Sequence, residues 1–526
     1  MTTTRIEKDT MGEMPVPADA LYGASTQRAV LNFPVSGRPV PEAVIKAYAM
    51  LKTACARVNH KLHRLDAART ESIAGACAEI LEGMAQRGGI ARHFPIDIYQ
   101  TGSGTSTNMN ANEVIANLTA LRAGHAIGKS KDAAYIKSGG VHPNDHVNMG
   151  QSSNDTFPSA MNISAAIVIH RELLPAVEAL ARELEAKAAA WDKIVKIGRT
   201  HLADATPIRL GQEFGGYASQ VRHAQRRLLL ALDTLSELAI GGTAVGTGIN
   251  CHEQFGQMVC AELNVMLGLP SKASGASPGS DGIRPFAFRE ASNHFEAQHA
   301  RDCFVEASGH LKTYAVSLTK IANDIRWLGS GPRCGIGELT LPAVQPGSSI
   351  MPGKVNPVIC ESVMMLCCQV VGNDAAITMG GLGGIGSLLD LNVAMPMMSA
   401  NLLDSASLLA HGSRMFLVNL LQAHNGDAAT GLPPSPGLVP NEKRCAELIE
   451  GSLAMCTSLV PVIGYDKSAA LAKDAFKAGK TVRQLAYETV VGQNDNSGKP
   501  ITRDDIDHYL NPWSMTLPGG EGSAGG

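Results

Sequence analysis

The sequence predicts an all-α fold, and three observations carry that prediction. The stretch AVEALARELEAKAAAW from Ala176 places Val177, Leu180, Ala181, Leu184 and Ala188 on one stripe at three- and four-residue steps. Leu311, Ala315, Leu318, Ala322 and Ile325 repeat the pattern in HLKTYAVSLTKIANDIRWLG, a helix expected to stop at Gly329. Runs of strict apolar and polar alternation are scarce, so long helices are expected rather than a sheet.

A chain of 526 residues is long for one core, and two or three domains are expected. The proline- and glycine-rich stretch NGDAATGLPPSPGLVPNEK, residues 425–443, reads as a linker into a smaller helical unit. The expected domains are residues 1–150, a central helical bundle at 151–424 and a small C-terminal helical domain at 425–516, with 517–526 as a disordered tail.

Basic residues number 45 and acidic ones 48, giving a net charge of -3 with no nucleic-acid footprint. The 11 cysteines lie scattered between Cys55 and Cys456 without a CxxC pair, the pattern of reduced intracellular thiols. Cys367 and Cys368, inside VMMLCCQVV, are expected to be small core residues. The opening MTTTRIEKDT lacks an apolar signal stretch, and no uninterrupted apolar run approaches the roughly 20 residues needed to cross a bilayer. A soluble, cytoplasmic protein is therefore expected, without membrane or nucleic-acid partners.

Two helices are expected to begin at a polar residue followed by proline. Thr206-Pro207 would open PIRLGQEFGGY, and Asn356-Pro357 would open VICESVMMLCCQVV, which is apolar nearly all round and so is expected to be a buried central helix. The loop GSSIMPGK thus leads into a helix N-terminus, where unpaired N–H groups favour an anion.

Four polar, turn-forming stretches interrupt the helices: TGSGTSTNMNANE from Thr101, HPNDHVNMGQSSND from His142, GRTHLADATP from Gly198, and GSSIMPGKVNP from Gly347. Together they offer hydroxyls, carboxamides, histidines and a lysine, a set suited to a small substrate rich in carboxylate oxygens. Each alone has an ordinary reading, TGSGTSTN as a turn, SSND as a helix cap and His201 as a structural histidine. His142 and His146 are four apart, but Pro143 and Asn144 make that segment a turn, so no metal site is expected there. GLGGIG at 381–386 matches GxGxxG with Asp404 downstream, yet no βαβ alternation surrounds it and Pro396 interrupts the helix that should follow. No dinucleotide or other cofactor is expected.

The pattern GSSxMPxKxNP is met in full by residues 347–357, and with RIEKDTMGE, TGSGT, VHPNDHVN, GRTHLADATP, GGTAVGTGIN and IANDIRWLGSGPR in order the chain resembles the class II fumarase branch of the fumarase/aspartase superfamily. The likeness runs from Arg5 to the NPWSMT segment ending at Thr516. The resemblance implies a three-domain α fold whose central bundle forms a homotetrameric core, with each active site shared by three subunits. It implies hydration of fumarate to L-malate, with Ser348 as the base that removes the C3 proton of malate. His201, paired with the carboxylate of Glu361, would handle the water. Ser103, Gly104, Thr105, Ser152, Ser153, Asn154, Thr200, Ser349, Lys354, Val355 and Asn356 fall at substrate-binding positions. His142, Pro143, Asn144 and Asp145 fall at a secondary dicarboxylate site.

That chemistry suits these residue types. Proton removal next to a carboxylate builds a dianionic aci-carboxylate, and well-aimed donors are each worth roughly 3–4 kcal/mol to such charge. A serine is a poor base unless its alkoxide is stabilised, which glycine-flanked N–H groups and Lys354 could do. Two related readings are an aspartate ammonia-lyase and a hydratase of substituted fumarates. The resemblance places His201 and Gly353 with fumarases, since aspartases carry glutamine and alanine there, and the intact set of Ser348, His201, Lys354 and Glu361 argues against a non-catalytic relative. Departures from the family pattern are Gly139 and Gly140 before VHPND, a longer GLGGIGSLLDLNV segment with Asp390, and an enlarged stretch at 425–440.

Overall fold

The computed structural model describes residues 3–270, 285–347 and 350–518. Helices dominate the described residues, and strands occur only as two-stranded pairs. The chain divides into two compact units, one of Met1–Pro175, Ala224–Val316 and Leu366–His411, the other of Ala176–His223, Ser317–Met365 and Gly412–Gly526. Each division point falls inside a helix.

The first unit opens with a hairpin of β1 (Thr4–Asp9) and β2 (Gly12–Pro17), followed by α1 (Ala24–Asn32). Around α2 (Glu42–Lys61) pack α3 (Ala67–Leu81), α5 (Ser153–Val168) and α8 (Phe255–Leu267), while α4 (Thr105–Arg122) packs on α3 and α5. Helix α2 buries residues on nearly every side, Val44, Tyr48, Leu51 and Val58 among them, so it lies at the centre of this unit. A buried lysine, Lys52, interrupts that apolar surface.

In the second unit α6 (Leu174–Ala190) leads into the antiparallel pair β3 (Val195–Thr200) and β4 (Ala203–Arg209), and α7 (Leu210–Leu235) follows at once. Pro207 therefore lies in a strand, not at a helix start. In a two-stranded pair every strand is an edge, so the missing N–H of Pro207 is tolerated opposite Ile197. The C-terminal helices have a core of their own, built from Ile449, Leu459, Ile463, Leu471, Leu485 and Ile506.

The helical stripes are placed as the spacing predicts. Leu311, Ala315, Leu318, Ala322 and Ile325 are fully buried along α9 (Asp302–Leu328), and Val177, Leu180, Ala181 and Leu184 are buried along α6, with Ala188 half-buried. Gly329 follows the last residue of α9, as expected. The helix after Asn356-Pro357 is α10 (Val358–Gly381), where the Pro357 carbonyl accepts the first helical bond from Glu361 N.

Helix α10 is not the wholly buried helix that its composition predicts. Glu361, Met365, Cys368, Gly372, Ala375 and Met379 form an exposed stripe, with Met365 at 68% and Met379 at 49% exposure. Cys367 is in the core as expected, but Cys368 is exposed, because neighbouring residues on a helix point about 100° apart. By length and mean hydropathy α10 passes for a helix able to cross a membrane, although Glu361, Gln369, Asn373 and Asp374 interrupt its apolar run. Its buried face nevertheless carries Asp374, held by Lys312 at 2.5 Å and Ser308 at 2.7 Å, which is packing against protein. 

GLGGIG joins the end of α10 to a short pairing of Ser387–Leu388 with Leu391–Asn392. Pro396 does not break the next helix, since it is the second residue of α11 (Met395–Phe416), where a proline needs no N–H partner. Residues 425–443 contain their own turns, bridged at His424 with Ser435 and Asp427 with Leu432, before Val439–Pro440 pairs with Leu339–Thr340. Of the expected tail, Leu517 and Pro518 are described and residues 519–526 lie outside the described residues.

Candidate active site

The described residues singled out in the sequence fall in both units, those of TGSGT, HPND and SSND in the first and those of GRTH and the GSS loop in the second. In the first unit, TGSGT turns the chain into α4. Gly104 has φ +72°, and a Cβ there would stand 2.0 Å from the Phe157 ring. At Gly102 a Cβ would stand 1.7 Å from the Val393 carbonyl oxygen. TGSGT is therefore a fixed turn whose two glycines allow close packing.

That packing sets a line of side chains. Ser103 Oγ lies 2.8 Å from Thr105 Oγ1, Thr105 Oγ1 lies 2.8 Å from Ser153 Oγ, and Ser153 Oγ donates to Asn154 Oδ1 at 3.3 Å. With Ser153 donating onward, Thr105 donates to Ser153 and Ser103 to Thr105. Hydroxyl protons rotate freely, so an arriving carboxylate can draw them to itself without displacing a heavy atom. Asn154 is held from outside the line, its Nδ2 donating to Ala244 O at 2.8 Å.

Beneath the line, Ser152 and Asp155 form a capping box at the start of α5. Asp155 is fully buried; one carboxylate oxygen accepts from Ser152 N at 2.9 Å, and the other from Gly241 N at 3.2 Å and Thr243 N at 3.0 Å. The carboxylate thus ties the GGTAVGTGIN segment to SSND. Lys52, also fully buried, donates to Asn108 Oδ1, Asn148 Oδ1 and Gln151 Oε1, each at 2.9 Å. Burial pushes the Asp155 carboxyl up to about 6 and the Lys52 ammonium down to about 8. Lys52, Asn108, Gln151 and Asp155 were not singled out from the sequence. The legible signal is Lys52 itself, a cation in the otherwise uncharged stretch AMLKTACA.

HPNDHV forms one wide helical turn over Pro143–Val147. His142 Nδ1 accepts from Asn144 N at 3.3 Å and Asp145 N at 3.2 Å, while His146 Nδ1 accepts from His142 N at 2.8 Å. Burial holds both imidazoles below the usual histidine range, which suits rings used as acceptors. Asp145 Oδ2 lies 3.1 Å from His142 Nδ1, an ion pair only for a protonated ring, and the two accepted N–H groups favour the neutral one. Pro143 is buried, whereas Asn144 and Asp145 are exposed.

In the second unit, Thr200 and Ala203 face each other across a two-residue turn whose tip is His201 and Leu202. Both tip residues have positive φ, 58° and 61°. For L side chains this conformation costs roughly 1–2 kcal/mol per residue, and such strain concentrates at functional sites. Thr200 and His201 are exposed.

The GSS loop is closed at its base. Asn356 Nδ2 donates to Gly347 O at 2.6 Å, and a Cβ at Gly347 would stand 1.7 Å from the Lys354 carbonyl oxygen. Gly353 has φ +80°, which favours glycine there. Lys354 and Val355 are exposed, and Glu361 is exposed in the first turn of α10. Ser348 and Ser349 lie outside the described residues. Among the described residues no hydrogen bond or ion pair joins His201 to Glu361 within one chain.

Known proteins are similar to this chain along nearly their whole length. A family model described as Lyase matches residues 12–278 and 282–372, and one described as Fumarase C C-terminus matches residues 455–517. The class II fumarate hydratase of Ralstonia nicotianae is 48% identical over 513 residues, covering 98% of this chain and 99% of its own. That of Corynebacterium efficiens is 47% identical over 511 residues, covering 97% of this chain and 96% of its own. A crystal structure of recombinant class II fumarase from Schistosoma mansoni superposes with a TM-score of 0.85 at 36% identity, covering 98% of this chain and 100% of that one. With likeness of that extent in both sequence and fold, the chain belongs to the class II fumarase family.

Proposed function

We infer that the protein is a fumarate hydratase, catalysing the reversible hydration of fumarate to L-malate. The observation that carries this reading is the full-length identity of 47–48% to class II fumarate hydratases. The Ser103–Thr105–Ser153–Asn154 line supports it, because fumarate offers only carboxylate oxygens for recognition and the line supplies rotatable donors.

In the dehydration direction Ser348 takes the C3 proton of malate and the second carboxylate becomes an aci-carboxylate. Lys354, Asn356 and Ser349 face that charge from the GSS loop, and Ser152, Ser153, Asn154 and Thr105 hold the other end of the substrate. Asn356 has one amide donor committed to Gly347 O, which leaves its second donor for a carboxylate. His201 protonates the departing hydroxide, with Thr200 beside it and Glu361 orienting the ring. His142, Asn144 and Asp145 form the secondary dicarboxylate site.

The assembly in this reading is a homotetramer with each site shared by three subunits. Supporting it is the exposed stripe of α10, which runs from Glu361 through Met365 and Cys368 to Met379 and so joins a candidate catalytic carboxylate to apolar surface. Burying one methionine fully is worth about 1.5–3 kcal/mol. Met365→Glu is expected to split the tetramer and abolish activity in the same step, read by sedimentation velocity and turnover. A tetrameric, active variant would remove this stripe from the interface. All 11 cysteines are free thiols, which supports a reducing, cytoplasmic setting.

The reaction is tested by incubating the protein with fumarate, with and without ammonium, and identifying the product. Malate in both samples is expected. Aspartate formed only with ammonium would overturn the hydratase in favour of an ammonia-lyase.

A further inference from the structure

A buried charge cluster lies under the hairpin that carries His201. Glu338 is fully buried, and its carboxylate receives both ends of the Arg199 guanidinium, Nη1 at 2.9 Å and Nη2 at 3.0 Å. Lys196, also buried, places Nζ 3.3 Å from Glu338 and 3.2 Å from Glu213, and donates to Ile197 O at 3.0 Å. The main chain of Glu338 is fixed as well, its carbonyl accepting from Asn441 N at 2.8 Å. Lys196 and Arg199 belong to β3, which ends at Thr200, one residue before the turn.

This hairpin needs an external anchor. Its register shifts between Ile197 and Arg199, where β3 advances two residues while β4 advances three. Gly198 sits at that irregularity, and a Cβ on it would stand 2.7 Å from the Thr206 carbonyl oxygen. The turn residues offer no anchor of their own. Positive φ at both tip positions is the pattern that Asn-Gly and Asp-Gly favour, and His-Leu is a poor sequence for it. A slip of one residue would put a different pair at the tip and send strand side chains to the opposite face.

We propose that Glu338 is a positioning residue, which pins Lys196 and Arg199 on either side of the irregularity and so fixes His201 at the tip. The role in turnover rests on the reading of His201 given above, whereas the role in register does not. A buried carboxylate that grips both sides of the irregularity resists slippage in either direction. Arg199 suits this work because its fork matches a carboxylate at two points.

The test compares wild type, E338Q, L202G and E338Q/L202G, reading kcat, KM and the hydrogen exchange of residues 195–209. E338Q is expected to lower kcat about 10- to 100-fold with KM changed less than about 3-fold, and to speed hairpin exchange at least about 10-fold. Leu202→Gly gives the turn its own preference for positive φ, so E338Q/L202G is expected to return exchange and kcat to the values of L202G alone. Unchanged exchange in E338Q overturns the proposal, as does a double variant that stays as impaired as E338Q. Should E338Q fail to assemble, R199K serves in its place, since it keeps the charge and loses the two-point grip. His201→Asn run alongside separates the two readings. If that variant turns over normally, the assignment of His201 fails and the register is judged by exchange alone.

Discussion

Ser348→Ala is expected to lower kcat by at least about 1,000-fold, while KM, secondary structure and subunit assembly stay as in the wild type. The side chain removed is one hydroxyl on a loop whose base is closed without it, by Asn356 donating to Gly347 O and by the close approach of Gly347 to the Lys354 carbonyl. Loss of the hydroxyl should therefore leave the loop's ends where they are and remove only the group proposed to accept the C3 proton. The neighbouring Ser349→Ala provides the contrast. Its hydroxyl is assigned to carboxylate binding, so KM should rise more than kcat falls. If S348A kept kcat within about 10-fold of wild type, or if S349A proved the more damaging in kcat, the base would have to be another group.

Why the long helices could be read from the sequence and the charge supports could not is a matter of range. Leu311 to Ile325 announce their helix because neighbours on its buried face are three and four residues apart. Arg199 and Glu338 meet across a separation of 139 residues, so nothing local in GRTH or in GIGELT announces their pairing. Lys52 falls between these cases. It is visible as a charge among apolar neighbours, but its three amide partners come from Asn108, Asn148 and Gln151, far along the chain.

The strand at Pro207 and the exposed stripe of α10 were misread for different physical reasons. Thr206-Pro207 resembles a helix start because both the first turn of a helix and an edge strand accept a residue without an N–H, and the extra residue of β4 between Asp204 and Pro207 disrupts the alternation that would mark a strand. For α10, apolar composition records that a surface avoids water and not which chain covers it. Met365 and Met379 are exposed within one chain, as the proposed tetramer requires of a face that another copy covers. The same distinction bears on the candidate site. Gly102, Gly104 and the hydroxyl line are set within one chain, so TGSGT and SSND were readable as motifs and the contacts between them only from the fold.

His201→Asn separates the chemistry at the hairpin tip from the shape of that tip. Histidine as a residue type titrates near neutrality and serves as a general acid or base, a contribution of roughly 100- to 10,000-fold. Asparagine has no such proton to exchange, so kcat is expected to fall by about that range. Most substitutions here would also disturb the turn, because His201 has φ 58° and histidine, like asparagine and aspartate, occupies that region more readily than other side chains. Asparagine is the exception, since its short amide can hydrogen-bond locally and it visits the left-handed region more readily than other side chains. The midpoint of thermal unfolding should therefore hold or rise slightly, while His201→Ala should lower both activity and stability. Because the ring is exposed within one chain and makes no hydrogen bond there to Glu361, little intrachain packing is lost in either variant. An asparagine variant with kcat within about 3-fold of wild type would show that the water is handled elsewhere, and the strain at this tip would then need another explanation.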